Sequence, residues 1–262
     1  MQGYDLRMIR FPEVPHGEAL VVSASTYVAY RVCPQQAVAR LEGRYPNETR
    51  LSFRGALSHR LFARHLTIGP IADGDLEQVC REEIGQGLNP TMGRLGMRPS
   101  DLRGLISEAG ELYARFKSRP VAGFERAEVA LEVDAAPGVT LKGTVDAVFG
   151  GAEGSRLVDW KTGQLGHADH QLTFYSLVWA LECGELPALV EAVSVATGER
   201  LERQPTLAEV EACAELVADL VTRARAAFSS GAPVARVAGP WCGYCPVLED
   251  CAEGQAATAM AS

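Results

Sequence analysis

An acid and a lysine stand two residues apart in the segment LVDWKTG, residues 157–163. Two apolar residues precede the pair and a Thr-Gly dipeptide follows it, which is typical of a buried strand ending in a turn. Side chains alternate across a strand, so Asp159 and Lys161 point to one side and Trp160 to the other. Taken alone, such a pair is more often a surface ion pair, because short motifs recur by chance.

A second acid lies in GTVDAVF, residues 143–149. We expect Val145, Ala147 and Phe149 to form one apolar face of this strand, with Asp146 on the other. If the GGAEGS turn pairs the two strands, Asp146 and Asp159 come close together. Adjacent carboxylates repel unless a proton or cation lies between them, and Mg²⁺ prefers oxygen ligands. The pair therefore predicts a divalent metal site, where a lysine could serve a metal-bound water or a phosphate.

Helices and strands must position these groups. Apolar residues have helical spacing in residues 23–43, 51–66, 75–85 and 99–119. The first helix begins at Ser23 or Ser25, with a break near Pro34. Strand patterns follow at 127–133, 139–149 and 156–160, and these predict an antiparallel meander.

The rest of the chain alternates between helical and strand periodicity of its apolar residues. Residues 170–183 predict a helix and 189–197 a strand, and the motif Thr206-x-x-Glu209 caps a last long helix. After Phe228 the periodicity stops, and we expect the small-residue tail GQAATAMAS to be frayed. The order predicts an α/β or α+β core in a single domain, 1–262. Its parts are a mainly helical part (about 20–120), the core (121–230) and a cysteine-bearing segment (231–255).

Four motifs in one order resemble those of the RecB-like exonuclease branch of the PD-(D/E)XK nuclease superfamily. GTVDAVF and LVDWKTG resemble its motifs II and III. Upstream, Gly55 to His59 matches its Gly-x-x-x-His, and downstream Gln171 to Tyr175 matches its Gln-x-x-x-Tyr. The resemblance implies the restriction-endonuclease-like fold, an α/β core with a mixed central sheet flanked by helices.

The resemblance also implies roles for single residues. Asp146, Asp159, the backbone carbonyl of Trp160 and His59 would hold Mg²⁺ or Mn²⁺, since imidazole suits transition metals. Lys161 would serve the attacking water. A core histidine is the alternative for His59.

Other residues would support that site. Gln171 and Tyr175 share a helix face and would contact substrate or support the lysine. Ordinary core packing is the alternative for Tyr175. Glu128 stands where the family often has an acid, and we give it at most a supporting role.

Seven cysteines occur in a sequence without a recognisable export signal, which argues against a disulfide framework. Cys242, Cys245 and Cys251 form a compact trio that leaves one position of a four-ligand site open. The spacing fits zinc or iron–sulfur. In the AddB-type and CRISPR-associated exonucleases of this branch, an N-terminal cysteine completes a [4Fe-4S] site, which implies Cys33 here, with zinc as the alternative. We expect the remaining three to be structural: Cys80, Cys183 and Cys213.

Net charge and hydropathy indicate which kind of surface and which cellular location to expect. The net charge of −8 argues against a generally basic nucleic-acid-binding surface. No apolar run is long enough to span a membrane, and we expect a cytoplasmic protein of unspecified oligomeric state. Arg54, Arg60, Arg64 and Lys142 could guide a phosphate backbone, with a solvated basic face as the alternative.

These observations predict a metal-dependent deoxyribonuclease, an exonuclease acting on single-stranded DNA ends. A helicase or a CRISPR integration complex is the expected partner. The alternatives are a non-catalytic DNA-binding or scaffold module of a repair or CRISPR complex, and a zinc-stapled endonuclease specific for DNA structure.

Overall fold

Helices dominate the first part of the chain. The computed structural model describes residues 9–260. After a short strand, β1 (Leu20–Ser23), come α1 (Ala24–Val32), α2 (Pro34–Leu41), α3 (Arg50–Ile68), α4 (Leu76–Glu83), α5 (Asn89–Arg94) and α6 (Pro99–Phe116). A kinked turn, Ile84–Leu88, with a non-helical backbone at Gly87, joins α4 to α5.

Strands and helices alternate in the second part. It contains β2 (Phe124–Ala136), β3 (Val139–Phe149), β4 (Arg156–Lys161), α7 (Ala168–Cys183), β5 (Leu189–Ser194), β6 (Arg200–Arg203) and α8 (Leu207–Ser230). Two 3₁₀ turns, Pro240–Tyr244 and Leu248–Asp250, and α9 (Ala252–Met260) follow.

Local sequence explains where the main helices begin and end. The Ser23 side chain accepts a hydrogen bond from the Thr26 backbone and starts α1, and Cys33 separates α1 from α2 just before Pro34. Thr206 and Glu209 form the predicted capping box of α8. These boundaries confirm the predicted start of α1, the break near Pro34 and the start of α8.

The six strands form one mixed sheet in the order β1-β3-β4-β5-β6, with β2 along the other edge of β3. The pairs β1–β3 and β4–β5 are parallel, and β2–β3, β3–β4 and β5–β6 are antiparallel. The meander and the mixed sheet between helices are therefore confirmed.

Hydrophobic clusters cover both faces of the sheet. One cluster joins the sheet to α1, α2, α7 and α8 and includes Leu172 and Leu220. The other joins it to α3, α4 and α6 and includes Phe53 and Phe116. The ring of Trp160 lies edge-on to Phe116 with centroids 5.1 Å apart, so it anchors β4 on the face opposite the aspartate.

Two expectations from the sequence are wrong. Val145 packs in the first cluster but Ala147 and Phe149 pack in the second, so they do not form one face. The alternation of side chains in β3 breaks beside Glu128 of the paired strand β2. The backbone of Glu128 has φ +50° and departs from regular strand geometry. The tail is not frayed up to Met260, because α9 continues through it.

Candidate functional site

Strands β3 and β4 separate where the two aspartates lie. They pair only through residues 147–149 and 156–158, and Asp146 and Asp159 come next on each strand. The Asp146 side chain accepts a hydrogen bond from the Trp160 backbone N–H at 2.6 Å, where regular pairing would use a backbone carbonyl. The two carboxylates are thus brought together at a fork in the sheet.

Helix α3 carries His59 to this fork. The helix starts at a capping box made by Thr49 and Ser52. The His59 Nδ1 atom lies 3.1 Å from Asp146 Oδ1, and its side chain is 29% exposed. His59 is therefore not a core histidine of the kind seen at His65, which is buried and paired with a tyrosine hydroxyl.

Glu128, for which the sequence predicted at most a supporting role, completes a group with His59 and Asp146. Ligand atoms of His59, Glu128 and Asp146 all lie within 4.8 Å of one another. Glu128 is the one non-glycine residue among the described ones with positive φ. Such strained backbone clusters at functional sites. A glutamate on the strand that pairs with the Asp146 strand was the available signal in the sequence.

Lys161 lies beside this group, on the same side as Asp159. Its Nζ atom is 2.7 Å from Asp159 Oδ2 and also donates to the side-chain oxygen of Gln171. The Asp159 side chain is 4% exposed and that of Lys161 24%, so this is not a surface ion pair. Lysine has three donors, and these two contacts leave a third.

Helix α7 positions the amide that holds the lysine. Gln171 Nε2 donates to the Tyr175 hydroxyl at 2.7 Å, one helical turn away, which fixes the amide oxygen toward Lys161. Tyr175 is only 4% exposed, so it is packed in the core and hydrogen-bonded to the site as well. A Cβ at Gly143 would lie 3.0 Å from the Tyr175 ring, so glycine is needed for this approach.

Burial and mutual repulsion shift the pKa values of the acidic side chains. Burial and the neighbouring Asp146 raise the pKa of Asp159 to about 6, although Lys161 and His59 oppose the shift. The same two causes raise the pKa of Glu128. Burial lowers the pKa of His59, but the negative charges of Asp146, Asp159 and Glu128 outweigh it, and the pKa of His59 is raised overall. The site therefore has an excess of negative charge that favours a bound cation.

The residues fit a divalent ion in two respects. Asp159 Oδ2 is buried and receives no aligned hydrogen bond from the described residues, although Lys161 Nζ lies close to it. The ligand atoms of the His59 group lie within 4.8 Å, near the separations of about 3 to 4 Å in an octahedral site with bonds of about 2.1 Å. Asp159 lies outside that group, and its coordination, like that of the Trp160 carbonyl, stays a prediction.

The predicted basic groups divide into two sets. Arg54 contacts Glu108 and the Thr162 carbonyl, which ties α3 to the turn after β4. Lys142 pairs with Glu132 at 2.9 Å. Arg60 and Arg64 instead line an open groove that includes His59.

The four predicted cluster cysteines converge at the other end of the molecule. They line one pocket, although Cys33 is more than two hundred residues from the other three. Backbone N–H groups donate to three of the sulfurs: those of Val237, Gly239 and Gly254 lie 3.4 Å from Cys33, Cys242 and Cys251.

Burial raises the pKa of Cys245; the Val247 N–H lowers it, and the other three sulfurs raise it further. Hydrogen bonds of this kind surround thiolates that bind metal clusters. The expected structural cysteines behave as small apolar groups where buried, namely Cys80 and Cys213, whereas Cys183 is exposed at the end of α7.

The sulfur separations bear on the kind of metal. Tetrahedral zinc with Zn–S bonds of about 2.3 Å holds its sulfurs about 3.8 Å apart. Within residues 9–260, no three of these sulfurs lie within 4.8 Å of one another. The four sulfurs are therefore spread more widely than those of a tetrahedral zinc site.

Fold and site together match a known class of enzymes. The profile of the PD-(D/E)XK nuclease superfamily matches residues 21–252, so the chain belongs to this superfamily. None of the curated proteins is similar enough in sequence to match. Between residues 9 and 260, no helix combines the length and apolar character needed to cross a membrane.

Solved structures share the fold at low sequence identity. The crystal structure of a "putative exonuclease" from Eubacterium rectale matches with a TM-score of 0.54 and 15% identity. The alignment covers 82% of this chain and 84% of that one. The crystal structure of SSO0001 matches with a TM-score of 0.43 and 15% identity, over 91% and 88% of the two chains. The first match confirms the fold class.

Proposed function

We propose that this protein is a divalent-metal-dependent DNA exonuclease that degrades single-stranded DNA from its ends. One observation carries the proposal: a mostly buried lysine is held by a carboxylate and an amide beside a His–Glu–Asp group. Phosphodiester hydrolysis needs such an arrangement, because a water must be oriented and charge on the phosphate must be stabilised. The order of the four motifs supports assignment to the RecB-like branch.

His59, Asp146, Asp159 and the Trp160 carbonyl would hold Mg²⁺ or Mn²⁺, with Glu128 as a further carboxylate. A bound ion would supply Lewis-acid activation of the phosphate and a lowered pKa of water. Burial of Asp159 strengthens these electrostatic interactions, since water does not screen them.

Lys161 would orient the attacking water and stabilise negative charge on the phosphate with its remaining donor. Gln171 keeps the ammonium group aimed at the site, because its amide oxygen accepts from Nζ. Tyr175 in turn accepts from the other end of the amide and so fixes which end faces the lysine. Gln171 and Tyr175 thus act on the water through the position of Lys161.

We further propose that Cys33, Cys242, Cys245 and Cys251 bind a [4Fe-4S] cluster. The three N–H···S hydrogen bonds support a thiolate-bound metal group, and the wide sulfur separations favour iron–sulfur over zinc. Protein purified without oxygen should be brown and contain iron and acid-labile sulfide. Colourless protein with one equivalent of zinc would refute the cluster and favour a zinc-stapled enzyme.

End-labelled single- and double-stranded DNA and RNA, incubated with Mg²⁺ or Mn²⁺, test the activity directly. We expect mononucleotides or short products from single-stranded DNA, and no activity in EDTA. Asp159→Ala and Lys161→Ala should abolish degradation while the circular dichroism spectrum is retained. Full activity in either variant would disprove the mechanism, and DNA binding without turnover would indicate a scaffold module.

The setting of this activity is part of the proposal. A nuclease that needs free single-stranded ends fits work beside a helicase or in a CRISPR integration complex in the cytoplasm. Co-purification from cells that express a tagged chain tests this, with the Asp159→Ala variant used to trap DNA-bound partners.

A further inference from the structure

An open groove of about 700 Å³ runs along α3 from the candidate metal centre. His59 and Glu128 line it towards one end, and Arg60 and Arg64 line it farther along. Glu83, at the end of α4, forms part of the opposite wall. The groove therefore connects the site of chemistry to two cations on one helix.

A buried carboxylate holds both guanidinium groups. Glu83 is 8% exposed, and its two oxygens lie 3.7 Å from Arg60 Nη1 and 3.5 Å from Arg64 Nη1. The arginine side chains are 36% and 28% exposed, so both still face solvent in the groove. Glu82 approaches Arg64 only at 3.9 Å. The two arginines thus face the carboxylates of Glu82 and Glu83, and an arginine has five N–H donors, so their exposed donors remain accessible to a ligand in the groove.

The kinked turn after α4 contacts Arg60 as well. Arg60 Nη1 donates to the Glu83 backbone carbonyl at 3.2 Å. A Cβ at Gly87 would lie 2.7 Å from Arg60 Nη2, so the guanidinium rests against bare backbone. These contacts hold the arginine against the wall of the groove.

We propose that Arg60 and Arg64 bind successive phosphates of the DNA strand whose scissile phosphate lies at the metal centre. Four residues of helix rise about 6 Å, which matches the spacing of phosphates along an extended strand. This inference rests on the proposed function, and it specifies which residues contact the DNA strand that enters that site.

Salt dependence of binding tests the proposal without cleavage. A fluorescent 15-nucleotide oligo-dT would be titrated in EDTA at several salt concentrations and followed by anisotropy. Removing one arginine–phosphate ion pair should reduce the slope of log K against log salt by about 0.7. We expect this reduction in Arg60→Gln and in Arg64→Gln, and a retained slope in Arg64→Lys.

Arg81→Gln is the matched control, because Arg81 pairs with Glu77 on the exposed face of α4 and its replacement removes the same charge. An unchanged slope in both groove variants, or an equal reduction in Arg81→Gln, would overturn the proposal. If the groove variants fail to fold, arginine modification by phenylglyoxal in the wild-type protein decides. The oligonucleotide should protect Arg60 and Arg64 but not Arg81, and unprotected groove arginines would refute the proposal.

Cleavage assays separate this inference from the proposed function. If the protein degrades DNA with metal but the slopes are unchanged in the groove variants, the nuclease activity is supported and the binding of the strand by Arg60 and Arg64 is refuted. If the slopes are reduced but no divalent metal supports degradation, the binding of the strand by Arg60 and Arg64 is supported and the nuclease activity is refuted.

Discussion

The carboxylate–lysine site and the cysteine site are built in different ways. The first uses α3, β3, β4 and α7, and each of these elements has residues in one or both of the large hydrophobic clusters. The second uses the α1–α2 junction and two short 3₁₀ turns. Core packing thus sets the geometry of the first site, whereas the second depends on its own ligands. Removal of metal should therefore affect activity at one site and folding at the other.

The largest effect should follow replacement of a cysteine ligand. Cys251→Ser should lower the free energy of unfolding by several kcal/mol, because structural metal binding is coupled to folding. Anaerobic thermal denaturation measures this change, and limited proteolysis should show cleavage after residue 231. Cys183→Ser, at an exposed position, should change stability by less than about 0.5 kcal/mol. Equal stability of the two variants would remove the contrast between the sites.

Replacement of a carboxylate should preserve the fold but not the chemistry. Asp159→Asn should reduce the cleavage rate by about 10³-fold or more, since a charged group in a buried site is removed. Saturating Mg²⁺ should stabilise the wild type, by about 2.7 kcal/mol at a hundred times Kd, and should stabilise the variant less. Differential scanning fluorimetry with Glu153→Gln as a surface control measures this. Equal metal stabilisation of the two proteins would show that Asp159 is no ligand.

A smaller effect should follow a change that touches the site only through Tyr175. Gly143→Val places a side chain where a Cβ already lies 3.0 Å from the ring, so Tyr175 and Gln171 must move. We expect kcat to fall by about 10- to 100-fold, because small displacements of catalytic groups are costly. Gly74→Ala, which meets open space, is the control in steady-state assays. Normal kcat in Gly143→Val would mean that the tyrosine does not position the lysine.

The smallest effect concerns the pH dependence of stability without metal. The pKa of Asp159 is raised to about 6 in the folded protein, from an ordinary value near 3.8. The folded state therefore binds the proton more tightly, and stability falls as pH rises from about 4 to 6. In EDTA, Asp159→Asn should be more stable than the wild type above pH 6, with the difference vanishing below pH 4. Urea unfolding at both pH values measures it, and a constant difference would contradict the assignment.

Much of the core could be predicted from periodicity and motif order. Sequence patterns and packing agree in three places: the apolar residues of α6, the capping box of α8 and the three strands of the meander. The fork that joins Asp146 to Asp159 follows from strand pairing through a short turn. Local pattern and tertiary contact agree in these segments, so the prediction holds.

The rest depends on contacts that distant segments make. Strands β1 and β6 have four residues each and exist because longer neighbours pair with them. The place of Glu128 depends on a left-handed backbone that no pattern in the sequence indicates. Arg54 and Lys142 resemble the groove arginines in sequence, but they do not line the groove, and they pair with Glu108 and Glu132. The fold therefore decides which cations face the groove.

The contact between Cys33 and the Val237 N–H spans 204 residues. On a ribosome, α3, β3, β4 and α7 all emerge before this contact can form. The proposed catalytic groups can therefore assemble while Cys33 and the segment with Cys242, Cys245 and Cys251 are still apart. Closing a loop of this length costs on the order of 5 kcal/mol of chain entropy, which a cluster would have to offset. Insertion of the proposed cluster would thus come late, after the cysteine-bearing segment has been made.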